Sequence, residues 1–447
     1  MSYKQIQEYI LNIPKFRPEG SIEQTRKFYE FLGKPGKSVS IVHVAGTNGK
    51  GSTCAYMNSV LTEAGYKVGM FTSPHLVSVR ERMRVNNSLI SEQEFVVYYE
   101  KLVEQIDAYN KIKENPVVEE MTNVTSPKTV VRSKYLPTFY EFLFFMAMLY
   151  FEEQNPDVII LETGLGGRLD ATNVIDAPKV AVITEIGMDH MEYLGNTYEK
   201  IAEEKAGIIK QGSTVVYSRN RQESAQVVER KIKELGVLCK SVENLEKQNY
   251  RFVDKKIDFS FLSRYYDYIP IKLNTCAVYQ VENAKLALNA LEELGMEIPK
   301  GAMQKGIEKC KWEGRMEEII PNVYLDGAHN EDGIHVFLES VKRDGAKAKR
   351  WLLFSVVADK EYDVMKEKLV QSGLFDCIYA APLKNVRGID KKELENIFAD
   401  KQVRILNSAY EGLEEILSRK DDKDLVYVTG SLYLVGEIKE HFGGKHD

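Results

Sequence analysis

The sequence predicts an α/β protein made of two doubly wound domains, because its secondary-structure pattern occurs as two successive series of the same kind. Short runs of β-branched residues alternate with longer stretches that have the 3.6-residue period of helices. That alternation is typical of a parallel sheet with helices on both faces. The chain, at 447 residues, is also too long for one ordinary compact core. We therefore expect a larger N-terminal domain with a mostly parallel sheet and a smaller, Rossmann-like C-terminal domain.

Two groups of predicted strands define these domains. The strands of the first group are Ser40–Val44, Lys67–Thr72, Val158–Leu161, Val180–Thr184 and Thr214–Tyr217. The strands of the second group are Val323–Asp326, Trp351–Ser355, Cys377–Ala380, Val403–Leu406 and Leu425–Thr429. Between the groups lies a predicted helix, Val281–Leu294, which is ended by Gly295 and Pro299. We place the domain boundary there and predict domains of residues 1–296 and 297–447.

Composition and charge exclude several classes of protein. A hydrophobic fraction of 44% with 28% charged residues is ordinary for a globular protein. The formal net charge is -6 with both signs interspersed, so the chain has no basic stripe for nucleic acid. Its 5 cysteines are scattered and never spaced as Cys-x-x-Cys, which argues against disulfides and a zinc site. These features favour a reducing, cytoplasmic environment.

Two segments bear on membranes and on loops. The longest apolar run, Phe142–Phe151, is far shorter than a membrane span, and we interpret it as a buried helix. The N-terminal residues lack the apolar centre of a signal peptide. We therefore expect no membrane association.

The stretch Tyr109–Tyr135 has no clean period and contains several polar residues, so we predict a long loop or insertion there.

A glycine-rich turn follows the first predicted strand. Ser40–Val44 leads into the turn Ala45–Thr53, and a helical pattern continues over Cys54–Ala64. Strand, glycine-rich turn and helix together form a phosphate cradle, in which backbone N–H groups and a lysine such as Lys50 contact the phosphates. The strict P-loop pattern fails, because Gly51 stands where serine or threonine is required. A solvent-exposed loop before a helix is the alternative interpretation.

Charged residues follow another strand at the same predicted edge of the sheet. Val158–Leu161 delivers Glu162 to the carboxyl edge, where ligands bind in such folds and where a carboxylate can hold the metal of a nucleotide. The glycine-rich turn Thr163–Asn173 follows, with Arg168 and Asp170 as its charged members. A surface turn with a solvated ion pair is the alternative.

Two further candidates lie after the next strand. His190 follows Val180–Thr184 and shares the sheet edge with Glu162, which favours a metal ligand over a purely structural histidine. Lys205 lies between apolar positions of a short helix. By itself it is typical of a surface lysine whose stem covers apolar neighbours.

A set of ordered motifs occurs along nearly the whole chain: Gly46–Ser52, Thr72–Leu76, Glu162–Asn173, Asp189-His190, Glu204–Gly207, Glu282–Ala284, Gly314–Met316, Asp326–Asn330 and Gly430–Tyr433. In this order the motifs resemble those of folylpolyglutamate synthase and dihydrofolate synthase, in the Mur ligase superfamily. The resemblance implies a P-loop ATPase-like N-terminal domain and a C-terminal glutamate ligase domain.

The resemblance also implies roles for individual residues. The residues expected to bind ATP are Asn48, Gly49, Lys50, Gly51, Ser52, Asn283, Arg315, Asp326 and His329. Those expected to hold two Mg²⁺ ions are Ser73, Glu162, His190 and Lys205, the last as a carbamylated lysine. Lys50, Lys205 and His190 are thereby the expected catalytic residues. Lys205 would then not be a surface lysine.

Substrate binding is assigned in the same way. The matching positions are Thr138, Phe139, Tyr140, Glu141, Leu169, Asp170 and Ala171, with a further contact from Glu19–Ser21. An aromatic ring would stack on the pterin and Asp170 would bond its ring nitrogens. Phe139 and Tyr140 could instead be core residues at the start of the apolar helix.

The implied reaction is an ATP-dependent amide synthesis. A folate or dihydropteroate carboxylate is a poor acyl donor, so ATP first converts it into an acyl phosphate, which the amine of L-glutamate then attacks. A water-excluding clamp between two domains suits such an intermediate. We expect a monomer with small-molecule substrates only.

Two other functions remain open from the sequence. Another Mur-type ligase, acting on a UDP-linked peptide, predicts a separate uridine-binding domain, and only a short segment precedes Gly46. A slow nucleotide-dependent switch would leave the Asp326–Asn330 motif without a role.

Overall fold

A computed structural model of the chain describes residues 1–15, 22–114, 134–243, 249–344, 347–357, 362–384, 388–398 and 403–443. Within them, the strands form an eight-stranded sheet, a six-stranded sheet and a three-stranded sheet. The two large sheets are mostly parallel, as the alternating pattern predicted. The predicted α/β class with two doubly wound domains is confirmed.

The eight-stranded sheet belongs to the N-terminal half of the chain. Its strands are β1 (Ser40–Ala45), β2 (Val68–Phe71), β3 (Met83–Val85), β4 (Ser88–Leu89), β5 (Val158–Glu162), β6 (Val180–Ile183), β7 (Thr214–Ser218) and β8 (Cys239–Val242). They lie in the order β4-β3-β2-β5-β1-β6-β7-β8. Only β3 and β4 run antiparallel to their neighbours. Val44 pairs with Glu162 across β1 and β5, so the ends of these central strands lie side by side.

Helices cover both faces of this sheet. They are α1 (Tyr3–Leu11), α2 (Ile22–Phe31), α3 (Lys50–Glu63), α4 (Glu92–Glu114), α5 (Phe139–Gln154), α6 (Met191–Leu194), α7 (Tyr198–Ala206), α8 (Gln222–Leu235), α9 (Gln280–Glu293) and α10 (Lys300–Lys309). Successive residues of a strand point to opposite faces. Ile160 accordingly packs in the core beneath α3 and α9, while Ile159 and Leu161 pack in the core beneath α4 and α5.

The six-stranded sheet belongs to the C-terminal half. Its strands are β12 (Arg315–Ile320), β13 (Val323–Asp326), β14 (Arg350–Phe354), β15 (Cys377–Ala380), β16 (Val403–Ile405) and β17 (Leu425–Thr429). The order is β12-β13-β17-β14-β15-β16, and only β12 is antiparallel to its neighbour. The helices of this half are α11 (Glu331–Lys342), α12 (Tyr362–Gln371), α13 (Lys391–Ile397), α14 (Ala409–Arg419) and α15 (Leu432–Gly443).

A small antiparallel sheet packs against α9 and α10 in the core of the first half. It consists of β9 (Tyr250–Val253), β10 (Lys256–Ser263) and β11 (Asp267–Leu273), in the order β11-β10-β9. The sequence analysis predicted none of these strands, nor β3, β4, β8 and β12. α9 and α10 both pack against α3 of the first half, and Ser59 Oγ donates to Gly306 O at 2.7 Å. The boundary between residues 296 and 297 stays a prediction.

The predicted loop at Tyr109–Tyr135 is wrong at its start. α4 continues to Glu114, because Asn110 faces inward and exchanges hydrogen bonds with the backbone of Tyr135, at 3.0 and 2.7 Å. The rest of that segment, up to residue 133, lies outside the described residues. The predicted buried helix at Phe142–Phe151 is confirmed within α5. No helix in the described part of the chain has the length and apolarity needed to cross a membrane.

Candidate functional site

A cavity of about 1390 Å³ lies between the carboxyl edges of the two large sheets. Every residue that the sequence analysis assigned to ATP, metal or substrate lines it, except Glu19–Ser21, which lie outside the described residues. Strand ends gather there because parallel strands present their carboxyl ends at one edge. The structure therefore brings the predicted site residues together, while their individual roles stay predictions.

The turn between β1 and α3 has the backbone geometry of a phosphate cradle. Gly49 adopts φ 89°, in the left-handed region, directly before the first residue of α3. A Cβ at Gly49 would lie 2.2 Å from Asn283 Oδ1, so only glycine fits between the turn and α9. No side chain caps α3, which leaves its first N–H groups for an anion. Lys50 Nζ, beside them, donates to the carbonyls of Gly46 and Thr47 at 3.0 and 3.1 Å.

Neighbouring residues hold this turn in place. The N–H groups of Thr47 and Asn48 donate to Glu185 O at 2.7 and 3.2 Å, and Thr184 Oγ1 donates to Asn48 O at 2.7 Å. Ser52 is buried, and its Oγ accepts a hydrogen bond of 3.2 Å from Gln280 on α9. β6 and α9 thus fix the turn from two sides.

Glu162 is a buried carboxylate at the end of β5, with 3% of its surface exposed. Its Oε2 accepts a hydrogen bond of 2.9 Å from the Ser73 N–H, and Tyr140 Oη donates to its backbone carbonyl at 2.8 Å. Burial raises the pKa of the Glu162 carboxyl, and the Lys50 cation and the Ser73 N–H oppose that rise. The Glu162 carboxylate and the Ser73 hydroxyl are oxygen donors of the kind that Mg²⁺ prefers.

Lys205 is not the surface lysine that its local sequence suggested. Only 4% of it is exposed, and Nζ donates to Gly46 O at 2.8 Å. Burial, helped by the Lys50 cation, lowers the pKa of the Lys205 amine to about 7, while Asp189 and Asp170 oppose this shift. A large fraction of this amine is therefore neutral and nucleophilic near neutral pH.

His190 lies at the N-terminus of α6 in a left-handed conformation, with its side chain 41% exposed. Its Nε2 lies 3.9 Å from Asp189 Oδ1, and the other oxygen of Asp189 lies 3.5 Å from His329 Nε2. Within the described ranges, no three side chains of histidine, cysteine, aspartate or glutamate are close enough together to form a metal site. Only two members of the predicted metal set, Glu162 and His190, are of these types. The other two are Ser73 and Lys205, and Lys205 offers oxygen donors only when it is carbamylated. The set therefore fits Mg²⁺ by its donor chemistry.

The predicted substrate residues line the cavity beside Glu162, because Tyr140 Oη donates to the Glu162 backbone carbonyl at 2.8 Å. Phe139 and Tyr140 begin α5, and Thr138 caps it together with Glu141. Asp170 has both carboxylate oxygens engaged: Oδ2 accepts from Gly164 and Leu165 N–H at 2.9 Å each, and Oδ1 accepts from Thr172 at 3.0 and 2.5 Å.

These bonds make Asp170 a residue that shapes the glycine-rich turn. Its contact with a pterin stays a prediction. Leu169, beside it, is 57% exposed, and Ala171 is buried at the start of a short 3-10 helix.

The C-terminal half supplies the opposite wall. Asp326 ends β13, and its carboxylate accepts hydrogen bonds from Tyr279 Oη at 2.5 Å and from the N–H groups of Met316 and Ala328 at 3.0 and 2.9 Å. Burial raises its pKa. Arg315, at the start of β12, donates from Nη1 to Gly314 O at 3.0 Å and lines the same wall.

A group of polar residues beside the nucleotide turn received no role from the sequence. The group consists of Glu185, Asn220, Arg221, Glu282 and Asp332, all of which line the cavity. Burial raises the pKa of both Glu185 and Glu282, and the negative charges of Glu282 and Asp332 add to the rise at Glu185. Glu185 lies two residues after the end of β6 and Arg221 three residues after the end of β7, so the strand-end rule could have found them, whereas no local signal marks Asp332.

Comparison with known proteins places this geometry among relatives. Residues 121–291 match the family model described as Mur ligase middle domain. The chain is 33% identical to the dihydrofolate synthase/folylpolyglutamate synthase of Bacillus subtilis (strain 168), over 98% of this chain and 99% of that protein. It is 29% identical to the dihydrofolate synthetase of Saccharomyces cerevisiae, over 94% and 97% respectively.

Solved structures agree with these sequence relatives. E. coli FolC in complex with DHPP and ADP aligns with a TM-score of 0.82 at 26% identity, covering 100% of this chain and 99% of that one. A folylpolyglutamate synthase from Thermotoga maritima aligns with a TM-score of 0.80 at 29% identity, covering 99% and 97%.

Proposed function

Because the chain belongs to the dihydrofolate synthase/folylpolyglutamate synthase family, we propose that it is an ATP-dependent ligase that joins L-glutamate to dihydropteroate, to a reduced folate, or to both. One observation carries the proposal: the nucleotide turn, the buried Glu162 and the aromatic start of α5 all face one cavity between two domains. That arrangement supports a phosphoryl donor bound next to an aromatic acid.

ATP binds at the glycine-rich turn in this proposal. The free N–H groups at the start of α3 and the Lys50 ammonium receive the phosphates, and the first step would release Lys50 from its own loop carbonyls. Asn283 of α9, packed against Gly49, lies on the interdomain side of the site, and Arg315, Asp326 and His329 close it from the other domain.

Mg²⁺ is the metal that the donor set fits. Ser73, Glu162 and His190 would hold it, and Lys205 would hold a second ion after carbamylation. When bound, it supplies charge neutralisation on the transferring phosphoryl group. The buried position of Glu162 supports this assignment, because a desolvated carboxylate gains most from a cationic partner.

The reaction has two chemical steps. A carboxylate oxygen of the acceptor acid attacks the γ-phosphorus of ATP, and ADP leaves. The amine nitrogen of L-glutamate then attacks the acyl carbon, phosphate leaves, and the nitrogen loses a proton. Lys50 stabilises charge in the first step, and the enclosed cavity protects the acyl phosphate from water.

Carbamylation of Lys205 is the least usual part of the proposal. A neutral amine adds CO₂ to form a carbamate and releases a proton, and the lowered pKa of Lys205 supplies the neutral amine. ¹³C NMR of the protein equilibrated with ¹³CO₂ should give a carbamate signal that is absent in Lys205→Met. A spectrum identical for both proteins would remove the carbamate from the proposal.

The ligase itself is tested with purified protein, ATP, Mg²⁺, L-glutamate and either dihydropteroate or tetrahydrofolate. We expect phosphate release that requires both the pterin acid and glutamate, with a product heavier by one glutamyl unit. The active acceptor identifies the reaction that the protein catalyses. Phosphate release that ignores both substrates would instead favour a nucleotide switch.

We further propose that the protein is a cytoplasmic monomer. Its five free cysteines are consistent with the reducing environment of the cytoplasm.

A further inference from the structure

A buried arginine that the proposed reaction does not yet use lies inside the cavity. Arg82 ends the 3-10 helix Val79–Arg82, and only 6% of its surface is exposed. Its Nε donates to His75 Nδ1 at 2.9 Å. Its two terminal nitrogens form no ion pair and donate no hydrogen bond to any residue that the structure describes, although the side chain lines the cavity.

The charge of Arg82 is permanent, and the negative charges of Glu162 and Glu81 compensate it only in part. Burial lowers its pKa, but a guanidinium stays protonated in proteins. The nearby carboxylates are engaged elsewhere: Glu162 accepts from the Ser73 N–H, and Glu81 accepts from the N–H groups of Leu76, Val77 and Ser78 at 2.7, 2.8 and 2.6 Å. A buried cation of this kind is costly unless an anion pairs with it.

His75 fixes the direction of the guanidinium. The Arg82 Nε–H donates to His75 Nδ1, so this imidazole nitrogen carries no proton and acts as the acceptor. With Nε held, the planar fork of terminal N–H donors is pre-organised for the two oxygens of one carboxylate.

The surroundings of the fork are aromatic. The guanidinium carbon lies 5.2 Å from the centroid of the Phe139 ring, and Tyr140 and Tyr433 line the same cavity. The phosphate cradle has its own cations, Lys50 and Lys205. An aromatic acid therefore suits the Arg82 subsite better than a phosphate does.

We propose that Arg82 binds the acceptor carboxylate, the group that becomes the acyl phosphate, of the pteroate or folate substrate. The inference rests on the proposed ligase function and adds a substrate-binding residue to it. Arg82 would hold that carboxylate next to Glu162 and Ser73, at the end of the cavity that faces the nucleotide turn.

The test compares two ligands that differ only at this group: dihydropteroate and its carboxamide. Binding is measured by titration calorimetry in the presence of a non-hydrolysable ATP analogue, so no turnover interferes. The wild-type protein should bind the carboxylate about 10- to 100-fold more tightly than the amide, as a charge-assisted pair predicts. Arg82→Met should abolish that preference and leave the affinity for the amide nearly unchanged.

Two further variants complete the design. Arg80→Met is the matched control, because Arg80 lies on the same 3-10 helix but donates to Ile90 O at 3.2 Å and does not line the cavity. It should keep the full preference for the carboxylate. Arg82→Lys keeps the charge without the fork, and it should keep a reduced preference even where Arg82→Met does not fold.

The outcomes separate this inference from the function beneath it. If Arg82→Met and Arg82→Lys retain the wild-type preference, Arg82 does not bind the acceptor carboxylate. If these variants raise only the KM for L-glutamate, the carboxylate at Arg82 belongs to the amino acid and the proposal is overturned. If the wild-type protein binds neither these two ligands nor tetrahydrofolate, the proposed ligase function fails first.

Discussion

At the scale of single residues, His43 is a histidine that the fold keeps neutral. It lies fully buried in β1, and its Nε2 is 2.8 Å from Thr172 Oγ1. Burial, together with the Lys210 cation, lowers the pKa of His43 to about 3. The hydroxyl of Thr172 in turn donates to Asp170, so His43 supports the glycine-rich turn from beneath.

The buried histidine predicts how stability changes with pH. An unfolded chain protonates His43 near its ordinary pKa of about 6.5, whereas the folded chain resists protonation down to about 3. Between these values the unfolded state binds more protons, so the free energy of unfolding falls as the pH falls, by up to about 1.4 kcal/mol per pH unit. His43→Gln should remove this component. The free energy of unfolding, measured by urea titration between pH 7 and pH 5, should therefore depend less steeply on pH than in the wild-type protein.

The matched control is His335→Gln, because His335 is exposed on α11. That variant should keep the wild-type dependence of stability on pH. An equal slope in His43→Gln and wild type would mean that the imidazole is protonated in the folded protein.

Some residues could be assigned from the sequence and others could not. Glu162 and His190 follow strands, so the edge of the sheet could be predicted for both. Lys205 could not be predicted as buried from its neighbours, because the group that it contacts, Gly46 O, lies 159 positions earlier in the chain. Arg82 was missed for a related reason: it gains its role from His75 and Phe139 only after folding.

At the scale of elements, the turn before α3 depends on a glycine that has no room for a side chain. Gly49→Ala would strain a left-handed residue and bring its Cβ within 2.2 Å of Asn283 Oδ1. We expect ATP affinity, measured by calorimetry, to fall at least tenfold. Gly65→Ala is the control, because Gly65 has φ 92° just after the same helix and its Cβ would meet nothing within 4 Å.

Both variants carry the backbone cost of about 1–3 kcal/mol that a left-handed non-glycine residue entails. Only Gly49→Ala should also lose affinity for ATP. If the two variants bound ATP equally well, the packing of Asn283 against the turn would be irrelevant to the nucleotide.

Parallel strands were predictable from their apolar runs, but the small antiparallel sheet was not. β10 does alternate, with Ile257, Phe259 and Phe261 buried. Its turn to β9 is formed by Asp254 and Lys255, both with positive φ, without the glycine that usually marks such hairpins. β3 and β4 are too short to carry a pattern of their own, and β8 is mostly exposed and has no apolar run.

At the scale of the whole molecule, the two domains contact each other beside the nucleotide turn. Asp332, near the start of α11, accepts hydrogen bonds from Arg221 and from the Met188 N–H of the first domain. Asn330 Nδ2 donates to Asn48 Oδ1 at 3.1 Å. These contacts link the C-terminal domain directly to the ATP-binding turn. They could not be predicted from the sequence, because nothing near either residue of a pair indicates its partner.

We expect these contacts to favour the closed arrangement of the domains. Asp332→Asn removes the ion pair at nearly constant size, which should cost about 1.5–3 kcal/mol of docking free energy. Small-angle scattering with a non-hydrolysable ATP analogue should then report a larger radius of gyration than for wild type. The control is Glu331→Gln, because Glu331 pairs with Lys368 of its own domain at 3.0 Å. Identical scattering from the two variants would exclude Asp332 from closure.

The central claim is that the protein activates a carboxylate as an acyl phosphate and then joins it to the amine of glutamate. It is tested most directly with an acceptor acid whose carboxylate carries ¹⁸O in both oxygens. Mass spectrometry of the released phosphate should find one ¹⁸O, transferred from the substrate when the acyl phosphate is broken, and the amide product should retain the other. Amide formation with phosphate that contains no substrate ¹⁸O would contradict the account.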